Sequence, residues 1–246
     1  MIDKVNFGFL KVSKKTKDKM VSNLFTSVSE KYDLMNDVMS LGLHRVWKKK
    51  MINMCNPESI HKVIDIASGT GDIPLQLLKR NRDLLITCLD SNQEMHQICK
   101  NKMFDNGFTE DIEYICSSIE KCTLKDNTFD LATIAFGFRN FTDYQTSLKN
   151  IYRILKPGGK IVILELCNPP NKYINNFFEK YTFDIIPQLG KLVADDYDSY
   201  KYLAESIRMH PNPEKVLEML NTNQFINTKY IYLTSGIVTI HIGFKS

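Results

Sequence analysis

The feature that most constrains the fold of this chain is an apolar run that ends in a glycine-flanked turn. Residues 63–66 are apolar apart from Asp65, Gly69-Thr70-Gly71 follows, and a helical pattern begins at residue 73. This order predicts a buried strand, a tight turn and a helix, a unit that binds ligands at its turn in nucleotide-binding α/β domains. A strand–helix turn without any ligand has the same glycines, so the turn alone does not establish binding.

A second apolar run, residues 84–89, ends in another acid, Asp90. A carboxylate at this distance after the glycine turn binds ribose hydroxyls in nucleotide-binding domains. The third glycine of the dinucleotide pattern would fall at position 74, which is Pro74. Because that glycine lets backbone and helix pack closely near a pyrophosphate, its absence argues against NAD. The pattern favours an adenosine ligand without a diphosphate, and S-adenosylmethionine fits that description.

Strand and helix patterns alternate from Lys62 onward, which predicts a parallel, doubly wound sheet. Asp126-Asn127 supplies a turn before the fourth strand, and Lys156-Pro157-Gly158-Gly159 ends the helix before the fifth. The predicted elements are strand 62–67, helix 73–80, strand 84–90, helix 93–104, strands 112–117 and 130–136, helix 142–155 and strand 160–166.

The segments that flank this alternation are predicted to be helical on both sides. Residues 1–60 form an N-terminal helical segment, with two short helices between Met20 and Ser40, and residues 168–220 form a helical cap inserted before the last two strands. Those strands, about 229–233 and 237–245, are close enough in sequence to pair antiparallel. The sequence therefore predicts one domain, 1–246, of the α/β class, with a mostly parallel sheet of seven strands.

The composition is that of a globular protein that binds neither a structural metal nor nucleic acid. No apolar run approaches the roughly 18 residues that span a bilayer, the six cysteines include no C-x-x-C pair, and the net charge of +4 gives no reason to predict a nucleic-acid partner. No metal site is predicted, and His44 and His210 are interpreted as structural or substrate-lining. Two lysine clusters are either solvated helix faces or contacts to an anionic membrane: Lys11, Lys14, Lys15, Lys17 and Lys19, and Lys48, Lys49 and Lys50.

Ligands of open α/β sheets bind outside the carboxyl ends of the strands, which places the candidate site. The turn at Gly69 and Gly71 offers backbone N–H groups, and Asp90 can accept hydrogen bonds from both ribose hydroxyls. Ser118 and Ile119 follow the third strand, where one can bond to adenine and the other can pack against it. Ser118 is equally consistent with an exposed loop hydroxyl.

The loop after the fourth strand, Phe136-Gly137-Phe138-Arg139-Asn140, brackets an arginine and an amide with two aromatics. A guanidinium stays protonated and can hold an oxyanion of the substrate, so Arg139 is the leading catalytic candidate. A surface ion pair is the alternative. Aromatic residues at the start of the helical cap, between Tyr173 and Phe183, form either a lid over an apolar ligand or ordinary helix packing.

Several motifs together resemble the ubiquinone/menaquinone C-methyltransferases, the UbiE family, over nearly the whole chain. The most specific are the block from Tyr32 to Trp47, YDLMNDVMSLGLHRVW, and the block from Phe136 to Asp143, FGFRNFTD. Further similar blocks, in family order, are Asn6 to Phe9, Ala67 to Asp72, Tyr152 to Gly159 and Asp196 to Ile207.

The resemblance implies a class I, Rossmann-like, S-adenosylmethionine-dependent methyltransferase. Its implied reaction is C-methylation of a polyprenylated benzoquinol, 2-methoxy-6-polyprenyl-1,4-benzoquinol, in ubiquinone synthesis. By position, Thr70, Asp90, Ser118 and Ile119 correspond to cofactor contacts, with Ala135 near the sulfonium. Tyr32, Asp90 and Arg139 match residues associated in the family with a water-bridged network that deprotonates the quinol.

This sequence departs from the family pattern at three places on the cofactor side. Ser68 stands where glycine is usual, Ser118-Ile119 replaces a usual Asn-Ala, and Ala135 replaces a common serine. These departures put the hydrogen bonding on the adenine side in doubt, while the fold and the reaction type do not depend on them.

Two other functions remain open from the sequence: a demethylmenaquinol methyltransferase acting on a naphthoquinol, and a non-catalytic scaffold of a quinone-synthesis complex. The expected partners are the polyprenyl benzoquinol, a membrane surface in peripheral contact, a quinone-synthesis complex and a second copy of the chain. The resemblance implies the matrix side of the mitochondrial inner membrane if the source is eukaryotic, and otherwise a cytoplasmic, membrane-associated protein.

Overall fold

The computed structural model describes residues 4–246, and residues 1–3 of the predicted N-terminal segment lie outside the described part. The chain begins with an antiparallel hairpin, β1 and β2, where helices alone had been predicted. Three helices follow: α1 and α2 cover the region from Met20 to Ser40 where two short helices were predicted, and α3 is a further helix before the sheet. The bounds are β1 Lys4–Phe7, β2 Leu10–Ser13, α1 Lys14–Val28, α2 Tyr32–Ser40 and α3 Leu43–Cys55.

The hairpin forms because its turn and its aromatic side chains find partners far away in the sequence. The Phe7 ring stacks on Tyr202 with ring centroids 4.1 Å apart, and the Phe9 N–H donates to Glu205 Oε2 at 3.2 Å. Gly8 adopts φ +54°, and a Cβ there would lie 2.1 Å from Glu205 Oε2. Since these contacts span nearly two hundred residues, the local pattern could not predict the hairpin.

The remaining strands form one seven-stranded sheet in the order β5-β4-β3-β6-β7-β9-β8. All neighbours are parallel except β9, which pairs antiparallel with both β7 and β8, so the predicted mostly parallel α/β fold is confirmed. The strands are β3 Lys62–Ile66, β4 Leu85–Asp90, β5 Ile112–Cys116, β6 Phe129–Ala135, β7 Leu155–Leu166, β8 Ile226–Leu233 and β9 Val238–Phe244.

The strand order reverses between β3 and β6, where a crevice forms at the carboxyl ends of the strands. Successive residues of β3 point to opposite faces, so Val63 belongs to one apolar core and Ile64 to the other. Helices cover both faces: α3, α4 and α5 pack on one and α6 and α10 on the other. The bounds are α4 Asp72–Arg80, α5 Gln93–Asp105, α6 Tyr144–Ile154 and α10 Pro213–Thr222.

The cap over this crevice is built from two distant parts of the chain. Within the inserted segment 168–220, a wide helical turn at Tyr181–Ile185 connects α7 to α8, and α9 follows. A third apolar core joins Val28 and Met35 of the N-terminal helices to Ile186 and Tyr200 of the insertion. The bounds are α7 Lys172–Lys180, α8 Ile186–Ala194 and α9 Tyr197–Met209.

The predicted lysine clusters are not uniformly exposed, which corrects their interpretation as purely solvated or membrane-facing groups. Lys17 is buried, and its ammonium donates to the Phe141 carbonyl at 2.7 Å. Lys48 is also buried and pairs with Asp72 at 2.6 Å. Burial lowers the pKa of Lys17 to about 8, while the charges of Glu120 and Asp18 oppose the shift. Both lysines therefore hold helices in place rather than offering charge to a surface.

Candidate functional site

The turn after β3 needs its two glycines for different reasons. Gly69 has φ +53° and a Cβ there would meet nothing within 4 Å, so this position faces open space. Gly71 has φ +83°, and a Cβ would lie 2.5 Å from Cys99 Sγ and 2.9 Å from Met103 Cε. Gly69 therefore leaves room for a ligand, whereas Gly71 allows α4 to pack closely against α5.

Asp90 is fixed at the end of β4 by backbone donors on both of its oxygens. Gly69 N–H donates to Oδ2 at 2.8 Å and Asn92 N–H donates to Oδ1 at 2.9 Å. Burial raises the pKa of Asp90, while these backbone hydrogen bonds act in the opposite direction. The carboxylate is thus oriented before any ligand arrives, and its remaining lone pairs can accept hydrogen bonds from hydroxyl groups.

A cavity of about 520 Å³ lies at the carboxyl ends of β3, β4 and β6. It brings together most of the predicted cofactor residues: Gly69, Asp90, Ser118, Ile119 and Ala135, with Tyr32 of α2 on its wall. Gly71 and Thr70 do not line it. An open turn at Gly69, an oriented carboxylate at Asp90 and the apolar Ile119 fit the ribose and adenine of a nucleoside ligand.

Ser68, the departure from the family pattern in the turn, is buried beside this site. Its backbone N–H donates to the Leu89 carbonyl at 3.2 Å, and its hydroxyl has no hydrogen-bond partner within residues 4–246. An unpaired buried hydroxyl costs free energy. Because Ser68 is buried and does not line the cavity, its side chain does not enter the ligand space.

Thr70 faces away from the cavity into a cluster of charged side chains. Its hydroxyl donates to Asp33 Oδ1 at 2.8 Å and accepts from Lys102 Nζ at 3.1 Å. Asp72 accepts from Lys102 at 2.5 Å and from Lys48 at 2.6 Å. The predicted contact of Thr70 with the cofactor stays a prediction, since its hydroxyl is already engaged.

Arg139 is buried and held by four hydrogen bonds from three parts of the chain. Its Nη1 donates to Glu165 Oε1 at 2.8 Å and also to the Phe136 carbonyl, while Nε donates to Ser206 Oγ at 3.2 Å. Its backbone N–H donates to Glu165 Oε2 at 3.0 Å. This arrangement commits Nε and Nη1 and leaves Nη2 without a hydrogen-bond partner among residues 4–246.

A second cavity, of about 120 Å³ and mostly apolar, adjoins Arg139 under the cap. Trp47 and Phe136 meet edge to face on its wall, and Phe136 adopts φ +59° at the end of β6. The two cavities share Phe25, Tyr32 and Phe136. Tyr32 shares the larger cavity with Asp90 and the smaller one with Arg139, so it is the member of the predicted catalytic trio that connects the two.

Tyr32 and Arg139 influence one another electrostatically. Burial raises the pKa of the Tyr32 phenol, and the Arg139 charge opposes this rise. The pKa of Arg139 is raised as well: burial lowers it, but Glu165 and Tyr32 more than compensate. At neutral pH the site therefore holds a neutral phenol beside a permanent cation, a pair that can bind an anionic oxygen of a substrate.

Glu165 is the functional residue that the sequence interpretation missed. Its side chain is 1% exposed and accepts from Arg139 and from the Leu166 N–H. It is the next-to-last residue of β7, whereas Asp90 is the last residue of β4, so an acid near the end of a predicted buried strand was the available signal. Ser206 on α9 gave no such signal.

The two histidines interpreted as structural or substrate-lining lie in packed surroundings, and His44 also lines the smaller cavity. His44 Nε2 lies 2.8 Å from Asp37 Oδ1, and burial is the main cause of the lowered pKa of this imidazole. Burial lowers the pKa of His210 to about 3, and its ring packs edge to face on Phe138. Within the described residues, no group of three His, Cys, Asp or Glu side chains is placed to hold a metal ion.

Asp65, buried beneath the turn, should make the stability of the folded protein depend on pH. Burial raises its pKa from 3.8 to about 7, although the hydrogen bond from Thr133 at 2.6 Å lowers it. Between pH 3.8 and about pH 7, Asp65 is protonated in the folded protein and ionised in the unfolded chain. The free energy of unfolding therefore falls as the pH rises through this range. We expect Asp65→Asn to become more stable relative to the wild type between pH 4 and pH 8, by up to about 4 kcal/mol.

Urea unfolding at pH 5 and pH 8 measures this difference. Asp105→Asn, at an exposed position at the end of α5, is the matched control and should leave the pH dependence of the wild type unchanged. Equal stability differences between Asp65→Asn and the wild type at both pH values would show that Asp65 does not titrate in this range.

The sheet order, the oriented carboxylate and the paired cavities are those of a class I, S-adenosylmethionine-dependent methyltransferase. In fold, the chain is similar to the cyclase SpnF, with a TM-score of 0.68 and 13% identity over 93% of this chain and 96% of that one. A methyltransferase from Thermotoga maritima gives a TM-score of 0.64 at 17% identity, over 92% of this chain and 99% of the other.

The sequence comparisons are more specific. The profile of the ubiE/COQ5 methyltransferase family matches residues 13–245, and the chain belongs to that family. The ubiquinone/menaquinone biosynthesis C-methyltransferase UbiE of Wigglesworthia glossinidia brevipalpis is 42% identical over 243 residues, which are 98% of this chain and 96% of that protein. The chain is therefore an enzyme of the methyltransferase class, and its cofactor is S-adenosylmethionine.

Proposed function

We propose that the protein transfers a methyl group to a ring carbon of a polyprenylated benzoquinol, 2-methoxy-6-polyprenyl-1,4-benzoquinol, in ubiquinone synthesis. The observation that carries this proposal is the junction of the two cavities at Phe25, Tyr32 and Phe136. A nucleoside-sized space with both polar and apolar lining on one side meets a more apolar space, lined by Arg139, on the other. An apolar ring with an ionisable hydroxyl fits the second space.

The residues around Arg139 suit methylation at carbon. S-adenosylmethionine supplies an activated methyl group when it is bound, and the ring must be made electron-rich to attack it. Glu165 and Ser206 fix the guanidinium so that its free Nη2 can bind the quinol oxygen and favour the phenolate. Tyr32, which lines both cavities, is proposed to hold the quinol ring against the cofactor. Asp90, which shares the larger cavity with Tyr32, is proposed to act in proton removal through water as well as in ribose binding.

On the cofactor side, we assign the backbone turn at Gly69 and Gly71 and the carboxylate of Asp90 to ribose and amino acid binding. Ser118 and Ile119 flank the adenine and Ala135 lies near the sulfonium in this proposal. The open space at Gly69 supports it. Thr70 acts through the turn, since its hydroxyl bonds to Asp33.

The prenyl tail is proposed to leave the apolar cavity beneath α7 and α8 toward a membrane. Phe178, Tyr181 and Ile186 line this side of the cavity, and the outer surface of the same helices exposes Tyr173 by 87% and Phe177 by 73%. Large exposed apolar side chains indicate an interaction surface. Lys172, Lys180 and Lys191 on α7 and α8 are exposed and suit anionic headgroups. Within residues 4–246 no helix is long and apolar enough to cross a bilayer.

The test is an assay with methyl-labelled S-adenosylmethionine and reduced demethyl substrates, presented in detergent and in anionic vesicles. We expect labelled benzoquinol as the main product, with faster turnover of long-tail substrate when vesicles carry it. Preferred methylation of a matched naphthoquinol would assign the demethylmenaquinol reaction instead. Calorimetry provides the control, because a scaffold that has lost catalysis would give neither product nor cofactor binding.

The cellular location of the reaction and the assembly of the enzyme are also part of the proposal. The relationship to quinone-synthesis enzymes supports a place at a quinone-containing membrane, which is the matrix side of the mitochondrial inner membrane if the source is eukaryotic. Association with a quinone-synthesis complex and a homodimer stay predictions.

A further inference from the structure

A charged cluster connects the cofactor turn to the helix that carries Tyr32. Lys102 Nζ donates to Asp33 Oδ2 at 2.7 Å, to Asp72 Oδ1 at 2.5 Å and to Thr70 Oγ1 at 3.1 Å. All three of its N–H donors are therefore used. Lys48 completes the set through Asp72 at 2.6 Å. We call Asp33, Thr70, Asp72, Lys102 and Lys48 the ionic cluster.

The ionic cluster joins five segments of the chain: α2, the turn, α4, α5 and α3. Two ammonium groups balance two carboxylates, and the side-chain exposure is 18% for Lys102 and 26% for Asp72. Burial lowers the pKa of Lys102, but Asp72 and Asp33 raise it further, so the net shift is upward. Partly buried pairs of this kind are screened less by salt than surface pairs.

The ionic cluster connects the cofactor cavity to Tyr32 through few residues. Gly69 lines the cofactor cavity and donates to Asp90, and the next residue, Thr70, donates to Asp33. Asp33 in turn follows Tyr32, which lines both cavities. A shift of the turn on cofactor binding must therefore displace either the Thr70–Asp33 hydrogen bond or the first turn of α2.

We propose that the ionic cluster positions Tyr32 between the two cavities and couples cofactor binding to the formation of the quinol site. The quinol part of this inference rests on the proposed function. Lys102 and Asp33 touch neither ligand in it and act as positioning residues. Cofactor in the large cavity fixes the turn, the turn holds α2, and α2 places Tyr32 over the quinol ring.

Lys102→Met tests the proposal, with Lys100→Met as the matched control on the exposed face of α5. We expect Lys102→Met to lower kcat/KM for a short-tail benzoquinol about tenfold, in keeping with the size of typical coupling effects. The Kd for S-adenosylmethionine, measured without quinol, should change by less than about threefold, since no residue of the ionic cluster lines the cofactor cavity. Lys102→Arg keeps the charge and should restore much of the lost kcat/KM.

Hydrogen exchange gives a readout that a purely structural role would not move. S-adenosylhomocysteine should slow amide exchange in residues 32–40 of the wild type and of Lys100→Met, and this protection should be absent in Lys102→Met. Should Lys102→Met fold poorly, Asp33→Asn removes one charge at a half-exposed position and serves in its place.

Two outcomes would overturn the inference. Retained protection of residues 32–40 in Lys102→Met would show that the cluster does not transmit cofactor binding. An equal loss of cofactor affinity and of kcat/KM would make the cluster part of the cofactor site itself. The exchange measurement needs no quinol, so a wild type that fails to methylate benzoquinol would refute the proposed function and leave the coupling still measurable.

Discussion

Replacement of Arg139 by methionine is expected to lower kcat by about 10²- to 10³-fold, the usual cost of losing one group that stabilises a developing oxyanion. The Kd for S-adenosylmethionine should stay within about twofold of the wild-type value, because Arg139 lines only the smaller cavity. Labelled-methyl turnover and calorimetry measure the two quantities.

Arg139→Met is also expected to lower the stability of the protein, and this effect must be distinguished from the loss of turnover. Removing Arg139 leaves the Glu165 carboxylate, 1% exposed, without its cation, and an uncompensated buried charge costs about 3–5 kcal/mol. The double variant Arg139→Met with Glu165→Gln removes that charge and should recover most of the stability. Turnover should remain as low as in the single variant. Recovery of turnover together with stability would assign Arg139 a structural role alone.

Gly71→Ala is expected to lower the free energy of unfolding by about 2–4 kcal/mol, as the sum of left-handed backbone strain and overpacking. The added Cβ would lie 2.5 Å from Cys99 Sγ, at a backbone φ of +83°. Gly69→Ala has the same kind of strain without the clash, so it should cost only about 1–2 kcal/mol. Its larger effect should be on cofactor affinity, since its Cβ would enter the open side of the turn.

Chemical denaturation and calorimetry on both variants test this contrast. Cys99→Ala gives room to the new Cβ, so the double variant Gly71→Ala with Cys99→Ala should be more stable than the sum of the single effects predicts. Strict additivity would mean that the Cys99 contact does not limit position 71. Equal destabilisation by Gly69→Ala and Gly71→Ala would refute the separation of roles in the turn.

The sequence alone predicted the elements that depend on local pattern. Alternating apolar periods predicted the parallel sheet, the antiparallel final pair and the helical segments on both sides of the alternation. The position of Asp90 at the end of its strand placed it in the large cavity, and Ser118, Ile119 and Ala135 line the same cavity. These residues lie at one edge because the strand ends of a parallel sheet converge whatever the loops between them do. Their contact with the cofactor stays a prediction.

The sequence pattern does not show contacts that join distant parts of the chain. The hairpin at residues 4–13 depends on Tyr202 and Glu205. The direction of Thr70 depends on Asp33 and Lys102, which turn its hydroxyl away from the cavity. Neither the spacing nor the chemistry of Thr70 distinguishes a ligand contact from a tertiary one.

By itself, the sequence determined the fold class, the cofactor edge of the sheet and Arg139 as the candidate for the reaction, because periodicity and strand ends are local properties. Only the tertiary structure decided that Glu165 and Ser206 hold Arg139, and that Tyr32 connects the two cavities. Buried charges must find their partners in space, and the partner of Arg139, which lies in the loop after β6, is twenty-six residues away on β7. The physical reason is that packing, rather than chain order, determines which groups share a low-dielectric site.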